Sequence, residues 1–427
     1  MKYTLKNATL LDGTAAMEPR PNMTVWIDGE KITSIEENGA AMPDSEILDL
    51  QGAYLMPGLV NMHVHLPVAG NPPKTDKKIN YKDLATLLSL SVVRRYFLKS
   101  QQKYVRDELY SGVTTLRAVG GLFDFDAQIR DLVNDGTIPG PRILTANTAI
   151  SVPGGHFAGS LATEAISPEM AREHVQMIAA TRPDLIKLMI TGGVMDATEE
   201  GEPGALRMPP ELVRAACEEA HALGFKVAAH VESVEGVTVA LQNGVDTIEH
   251  GAKPNDEILR LFKERNAVFI STVSPAIPYT FFDLSVSRCG EIGRKNGRVI
   301  FEAGIECGKA CLQNGIPVGM GTDTGCPFIT HYNMWREVHY FAKYMEVSPA
   351  FALHTATLGN ARIAGLGDVT GSVEVGKCAD LIVSAGNPLE SFANLQKLEY
   401  VFARGRIVRH PKIKKNPAVD TELDKFM

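Results

Sequence analysis

No run of 18 consecutive apolar residues occurs in this 427-residue sequence, so no membrane-spanning helix is expected. Positive charge is not in excess. Against 43 Lys and Arg stand 50 Asp and Glu, and a net charge of −7 gives no reason to expect nucleic acid or an anionic membrane as partner. Cysteine is sparse and unpatterned: Cys217, Cys289, Cys307, Cys311, Cys326 and Cys378 show no framework spacing. That excludes a disulfide scaffold and fits reduced thiols in a cytoplasmic protein. Cys307 and Cys311 lie one helical turn apart, but with no second pair they read as packing residues and not as zinc ligands. Met1-Lys-Tyr-Thr-Leu-Lys lacks an apolar core, and Asp12 and Glu18 follow soon after, so no secretory signal is expected. No Gly-x-Gly-x-x-Gly turn follows a strand, which argues against a doubly wound nucleotide-binding sheet. The one basic cluster, Arg404 to Lys415, reads as a solvated tail.

What is present is a change of style along the chain. Thr4 to Leu11, Met23 to Ile27, Lys31 to Ile35 and Ser45 to Leu50 read as strands, broken at Asp28-Gly29 and Glu37-Asn38-Gly39. The C-terminal part returns to this pattern with a strand over Ala379 to Ser384 and a hairpin over Leu398 to Arg409. Between them, strands alternate with helices. A helix capped at Ser167-Pro168 precedes strand Leu185 to Ile190. A helix from Pro209-Pro210 to Gly224 precedes strand Lys226 to Val231, and a short helix to Asn243-Gly244 precedes strand Val245 to Glu249. A strand over Pro317 to Gly321 leads to a helix opened by Ser348-Pro349 and running to about Leu358. Repeated strand–helix units predict an α/β fold, a (β/α)8 TIM-type barrel with a small discontinuous β-sandwich domain built from both chain ends. The expected boundaries are 1–57 and 369–427 for the β-domain and 58–368 for the catalytic barrel.

Five segments carry the chemistry. In Gly58-Leu-Val-Asn-Met-His63-Val-His65, residues two apart on a strand face one side, so both imidazoles can reach one cation. Lys187 lies inside the apolar run Leu185 to Ile190, where an ammonium is costly unless it is paired or chemically altered. His230 and His250 end successive strands, at the face where barrels keep their active sites. Asp323 sits in Gly319-Met-Gly-Thr-Asp-Thr-Gly325, just after another apolar strand. Each has a plain structural reading alone: surface histidines, a snorkelling lysine, a turn aspartate. Six such residues in strand-end order have no joint structural reading.

The ordered set His-x-His, Lys, His, His, Asp resembles the amidohydrolase superfamily, nearest to its imidazolonepropionase-like and prolidase-type (Xaa-Pro or Xaa-basic dipeptidase) members. Gly112-Val-Thr-Thr-Leu-Arg117, Thr247-Ile-Glu-His-Gly251, and Gly371 through Asp380 with Asn387-Pro388-Leu389 support the likeness. The resemblance implies two divalent cations, zinc being the expected metal. His63, His65 and Asp323 would hold one and His230 and His250 the other, with a CO2-derived carbamate on Lys187 bridging both. It implies a bridging hydroxide whose proton Asp323 shuttles, and a histidine, here His156 of Gly154-Gly155-His156, that holds or polarises the substrate. The reaction expected is hydrolysis of an amide bond in a small molecule such as a dipeptide or N-acyl amino acid. Cyclic-amide hydrolysis or deamination of a heterocycle stands second, and a non-catalytic scaffold is a remote alternative. A homo-oligomer is compatible with the sequence.

One departure from the likeness concerns specificity. Prolidase-like relatives carry His-x-Tyr after the fifth strand, with the tyrosine on the substrate carboxylate; this chain has His230-Val-Glu232. An anion there would repel a carboxylate. Glu232 is expected at the barrel mouth, either on a cationic or hydrogen-bond-donating part of the substrate, in an internal ion pair, or in solvent. Arg288, Arg294 and Arg298, expected after strand six, are the arginines that could bind a carboxylate or pair with it, Arg288 first among them.

Overall fold

A computed structural model of the chain describes residues 1–73 and 90–427. The two ends build one sheet. Strands β1 (Lys2–Leu10), β2 (Arg20–Asp28), β3 (Lys31–Glu37), β4 (Glu46–Asp49) and β5 (Tyr54–Pro57) join β16 (Leu381–Ser384), β17 (Leu398–Ala403) and β18 (Arg406–Arg409) in the order β18-β17-β16-β5-β1-β2-β3, with β4 paired to β1. The junction of the two ends is antiparallel, Leu381 opposite Pro57 and Ser384 opposite Tyr54. What the pattern suggests as a sandwich is thus hydrogen-bonded as one eight-stranded sheet. It has its own core of Leu5, Val25, Ile27, Leu55, Leu381, Val383 and Phe402, all removed from solvent.

The rest is the barrel. Its parallel strands run β6 (Leu59–Val64), β7 (Val113–Ala118), a broken third position made of β8 (Arg142–Thr145) and β9 (Ala149–Ser151), then β11 (Leu185–Met189), β12 (Lys226–Val231), β13 (Thr247–His250), β14 (Val268–Ser271) and β15 (Val318–Met320). The short β10 (Ala162–Glu164) lies beside β9. β6, β7 and β11 are buried throughout, as strands covered on both faces must be. β14 is a strand the sequence pattern does not pick out. It moves Arg288, Arg294 and Arg298 from the sixth to the seventh barrel connection.

Closure of the ring depends on side chains as well as backbone. The Asp323 amide donates to the His63 carbonyl (2.9 Å), and the His65 amide to the Thr324 carbonyl (2.8 Å). Asn360 donates to the carbonyls of both Val60 (2.7 Å) and Met320 (2.8 Å), and Asn61 accepts from the Thr322 amide (3.0 Å). Two buried amides thus stitch the first strand to the eighth and fix the two segments that carry His63, His65 and Asp323. Asn360 reaches its place because the helix opened at Ser348, whose side chain accepts from the Phe351 amide, widens into a π turn over Thr355–Gly359. Cys307 and Cys311 are buried in the helix Gly290–Gln313 as packing residues.

Candidate active site

At the C-terminal mouth of the barrel, the strand period turns alternate side chains of β6 inward. His63 and His65 both face the cavity, their rings 5.3 Å apart. The His63 ring lies 4.9 Å from that of His250, and His250 lies 4.7 Å from His230. Ligand atoms of His63, His250 and Asp323 come within 4.8 Å of one another, a buried group able to hold a cation. Asp323 Oδ1 sits 3.5 Å from His63 Nε2 and 3.2 Å from His65 Nε2. Lys187 and His230 line the same cavity. The six residues singled out in the sequence are therefore brought together.

Each imidazole is oriented by its other nitrogen. His63 Nδ1 donates to Glu249 Oε2 (2.8 Å) and His65 Nδ1 to the Gly120 carbonyl (3.0 Å). His250 Nδ1 contacts Thr272 Oγ1 (2.7 Å), and His230 Nε2 donates to the Gly192 carbonyl (3.1 Å). This assigns Nε2 of His63 and His65, and Nδ1 of His230, as lone pairs left for a metal, the arrangement by which outer partners fix ligand tautomers. Burial holds the His63 imidazolium down to a pKa of about 4, so the ring is a neutral ligand at pH 7. Two of the residues adopt left-handed backbone, His250 at φ 70° and Asp323 at φ 54°. Such strain costs on the order of 1–3 kcal/mol and gathers at functional sites.

Among the six candidate ligands, two buried atoms have no hydrogen-bond partner: Lys187 Nζ and Asp323 Oδ1. Burial lowers the Lys187 ammonium to a pKa of about 8. An amine so placed gives up its proton more easily than an ordinary lysine, the neutral form being the one that attacks CO2, and a carbamate would carry the negative charge that a pair of cations lacks. Asp323 is held well below the usual carboxylate range by His63, His65 and His250 despite its burial. Orphaned donors and acceptors turned towards one point, with neutral imidazoles around them, fit a metal centre.

Residues that the sequence reading did not single out support this layer. Arg117 donates to both oxygens of Glu249 (2.7 and 2.8 Å), to Thr247 Oγ1 (3.1 Å) and to the Met62 carbonyl (2.7 Å). Their positions inside apolar strands were the available signal, as for Lys187. His156 stacks on His230 at 4.1 Å and 10°, and its Nδ1 is held by Asp196. Glu232 lies on the cavity wall with Oε2 unpartnered and shielded from solvent. Burial, with the carboxylates of Asp323 and Asp196, pushes its carboxyl well above the usual range. Arg288 is not brought in: it is exposed, ends the short helix Leu284–Ser287 at φ 56°, and does not line the cavity. Arg294 donates to the Phe282 carbonyl. The carboxylate anchor expected from these arginines is withdrawn.

Residues 54–408 match the family model described as "Amidohydrolase family". The chain belongs to that family. It is 23% identical to ochratoxinase of Aspergillus niger over 93% of this chain and 85% of that protein. It is also 23% identical to imidazolonepropionase of Geobacillus thermodenitrificans over 91% and 90% of the two chains. A crystal structure from Bifidobacterium longum, provisionally named a prolidase, superposes with a TM-score of 0.87 at 33% identity, covering 99% of this chain and 98% of that one. This amidohydrolase is a metal-dependent enzyme that hydrolyses C–N bonds of small molecules. Among the described residues no helix is long and apolar enough to cross a membrane.

Proposed function

We propose that this amidohydrolase cleaves the amide bond of a dipeptide-like small molecule, with two divalent cations held by His63, His65, His230, His250 and Asp323 and bridged by carbamylated Lys187. The observation that carries the reading is the pair of unpartnered buried atoms, Lys187 Nζ and Asp323 Oδ1, inside a ring of imidazoles whose lone pairs converge. Two divalent cations held by these residues would lower the pKa of water and polarise a carbonyl. The chain's own groups do the rest. Asp323 takes the proton of the attacking water and returns it to the leaving amine. His156, held by Asp196 over the His230 ring, lines the cavity and positions the substrate beside the metal site. Phe157, Val194, Ile300 and Phe301 give the cavity an apolar wall.

Zinc is the metal we expect, and a cytoplasmic setting agrees with six free cysteines. A panel of dipeptides, N-acyl amino acids and lactams, offered to the metal-loaded enzyme with detection of released amine and ammonia, tests the reading. Turnover of dipeptides supports it. Turnover of lactams alone would replace it by cyclic-amide hydrolysis, and ammonia release from heterocycles would replace it by deamination.

A further inference from the structure

Beside the histidines, the cavity lining carries a carboxylate that the metal reading does not use. Glu232 Oε2 is buried there without a hydrogen-bond partner. The charged groups acting on Glu232 are two more carboxylates, Asp323 and Asp196. Among the described residues lining the cavity, Lys187 is the one lysine, and no arginine lines it. Lys187 is spoken for by the metal centre on the reading above.

The direction of Glu232 is set by its backbone. It directly follows β12, its amide donates to Thr191 Oγ1 (3.1 Å), and the next residue, Ser233, caps the helix Val234–Gln242. Gly204 packs directly on its carbonyl, so close that a Cβ would lie 2.2 Å from the oxygen. The backbone from which the Glu232 side chain reaches the cavity is thus fixed on both sides. Buried and without a counter-charge, the carboxylate is a cost to the fold. It is also a position that neither the metal reading nor the barrel packing uses.

We propose that Glu232 selects the substrate: its carboxylate receives a protonated amine, so the enzyme prefers amides that carry an ammonium near the scissile bond, such as aminoacyl amides and dipeptides with a free N-terminus, over N-acyl amino acids. This rests on the amide-hydrolase reading of the site. The Glu232 carboxyl has a backbone hydrogen bond from Val194, and the ammonium supplies the counter-charge and the partner that Oε2 lacks, while the apolar wall takes the side chain beside it. A substrate carboxylate placed against Glu232 would meet a like charge there, with no lysine or arginine side chain on the lining beside it except Lys187.

Binding and turnover test this separately. Calorimetry on the metal-loaded protein compares phenethylammonium with phenethyl alcohol, which differ in charge and hardly in shape. The ammonium is expected to bind at least about tenfold tighter, the scale of a charge-assisted hydrogen bond. Glu232→Gln should abolish that difference and Glu232→Asp should retain part of it, with Tm unchanged or raised in Glu232→Gln. In turnover, N-acetylation of a dipeptide should raise KM about tenfold or more in the wild type and leave it unchanged in Glu232→Gln. Equal binding of the two probes, or an ammonium preference that survives Glu232→Gln, overturns the proposal. If ammonium binding depends on Glu232 while no amide is turned over, the assignment of Glu232 stands and the dipeptide reading fails.

Discussion

The barrel interior holds two layers of buried charge, and they differ in how they are satisfied. In the inner layer Arg117, Thr247, Glu249 and His63 Nδ1 exhaust one another, and Glu249 is held far below its usual range chiefly by the Arg117 guanidinium against its own burial. At the mouth, Lys187, Asp323 and Glu232 each leave a buried polar atom unpaired. Both layers lie inside one barrel, the first on β6, β7 and β13, the second on β11 and just beyond β12 and β15. The difference teaches which charges serve the fold and which await a ligand: a layer closed on itself is structure, and a layer with orphaned atoms is a site.

Substitutions in the two layers should therefore fail in opposite ways. The largest effect on turnover is expected for Lys187→Ala, with nearly all activity lost, partial rescue by short carboxylic acids that replace the carbamate, and a fold as stable as the wild type. A fully active, metal-replete variant would remove Lys187 from the bridge. Next, Asp323→Asn should keep much of its metal and lose about 10²-fold or more in kcat, the scale of a positioned acid–base group. A fall of less than about tenfold would place proton transfer elsewhere. Glu249→Gln should behave differently. It leaves the Arg117 guanidinium buried without its anion, so unfolding should become easier by about 3–5 kcal/mol, seen as a large drop in Tm. Metal affinity should also fall about 10–100-fold through the loss of His63 orientation. A stable Glu249→Gln protein would erase the distinction between the layers. The smallest effect belongs to Arg288→Ala, whose kcat/KM should stay within about twofold of the wild type, as for surface positions generally.

The parts of this that the sequence makes legible are those with a local period. Lys226 to Val231 is a strand as read, the caps at Ser167 and Ser348 are in place, and the two ends meet in one sheet. The mouth residues stand out because a histidine or lysine ending or interrupting an apolar run needs a reason. Other features depend on contacts across the ring. Arg117 and Glu249 are 132 residues apart, and only closure of the barrel brings them together. Asp196 sits in a connecting loop with no periodic pattern, so nothing local ties it to His156. Arg288 shows the reverse error. Its type suited a carboxylate anchor, but β14 is only four residues long and gives little signal, and missing it shifted the whole following connection.

The central claim is that the orphaned atoms at the mouth are completed by two cations on a carbamylated lysine. It is tested most directly by the metal-to-protein ratio of the wild-type enzyme, refolded or reconstituted with divalent metal in the presence and absence of bicarbonate. The account predicts two metals per chain with bicarbonate, and fewer, with activity falling in step, when CO2 is withheld. Full turnover at one metal per chain or none, or a ratio of two that ignores CO2, would contradict it.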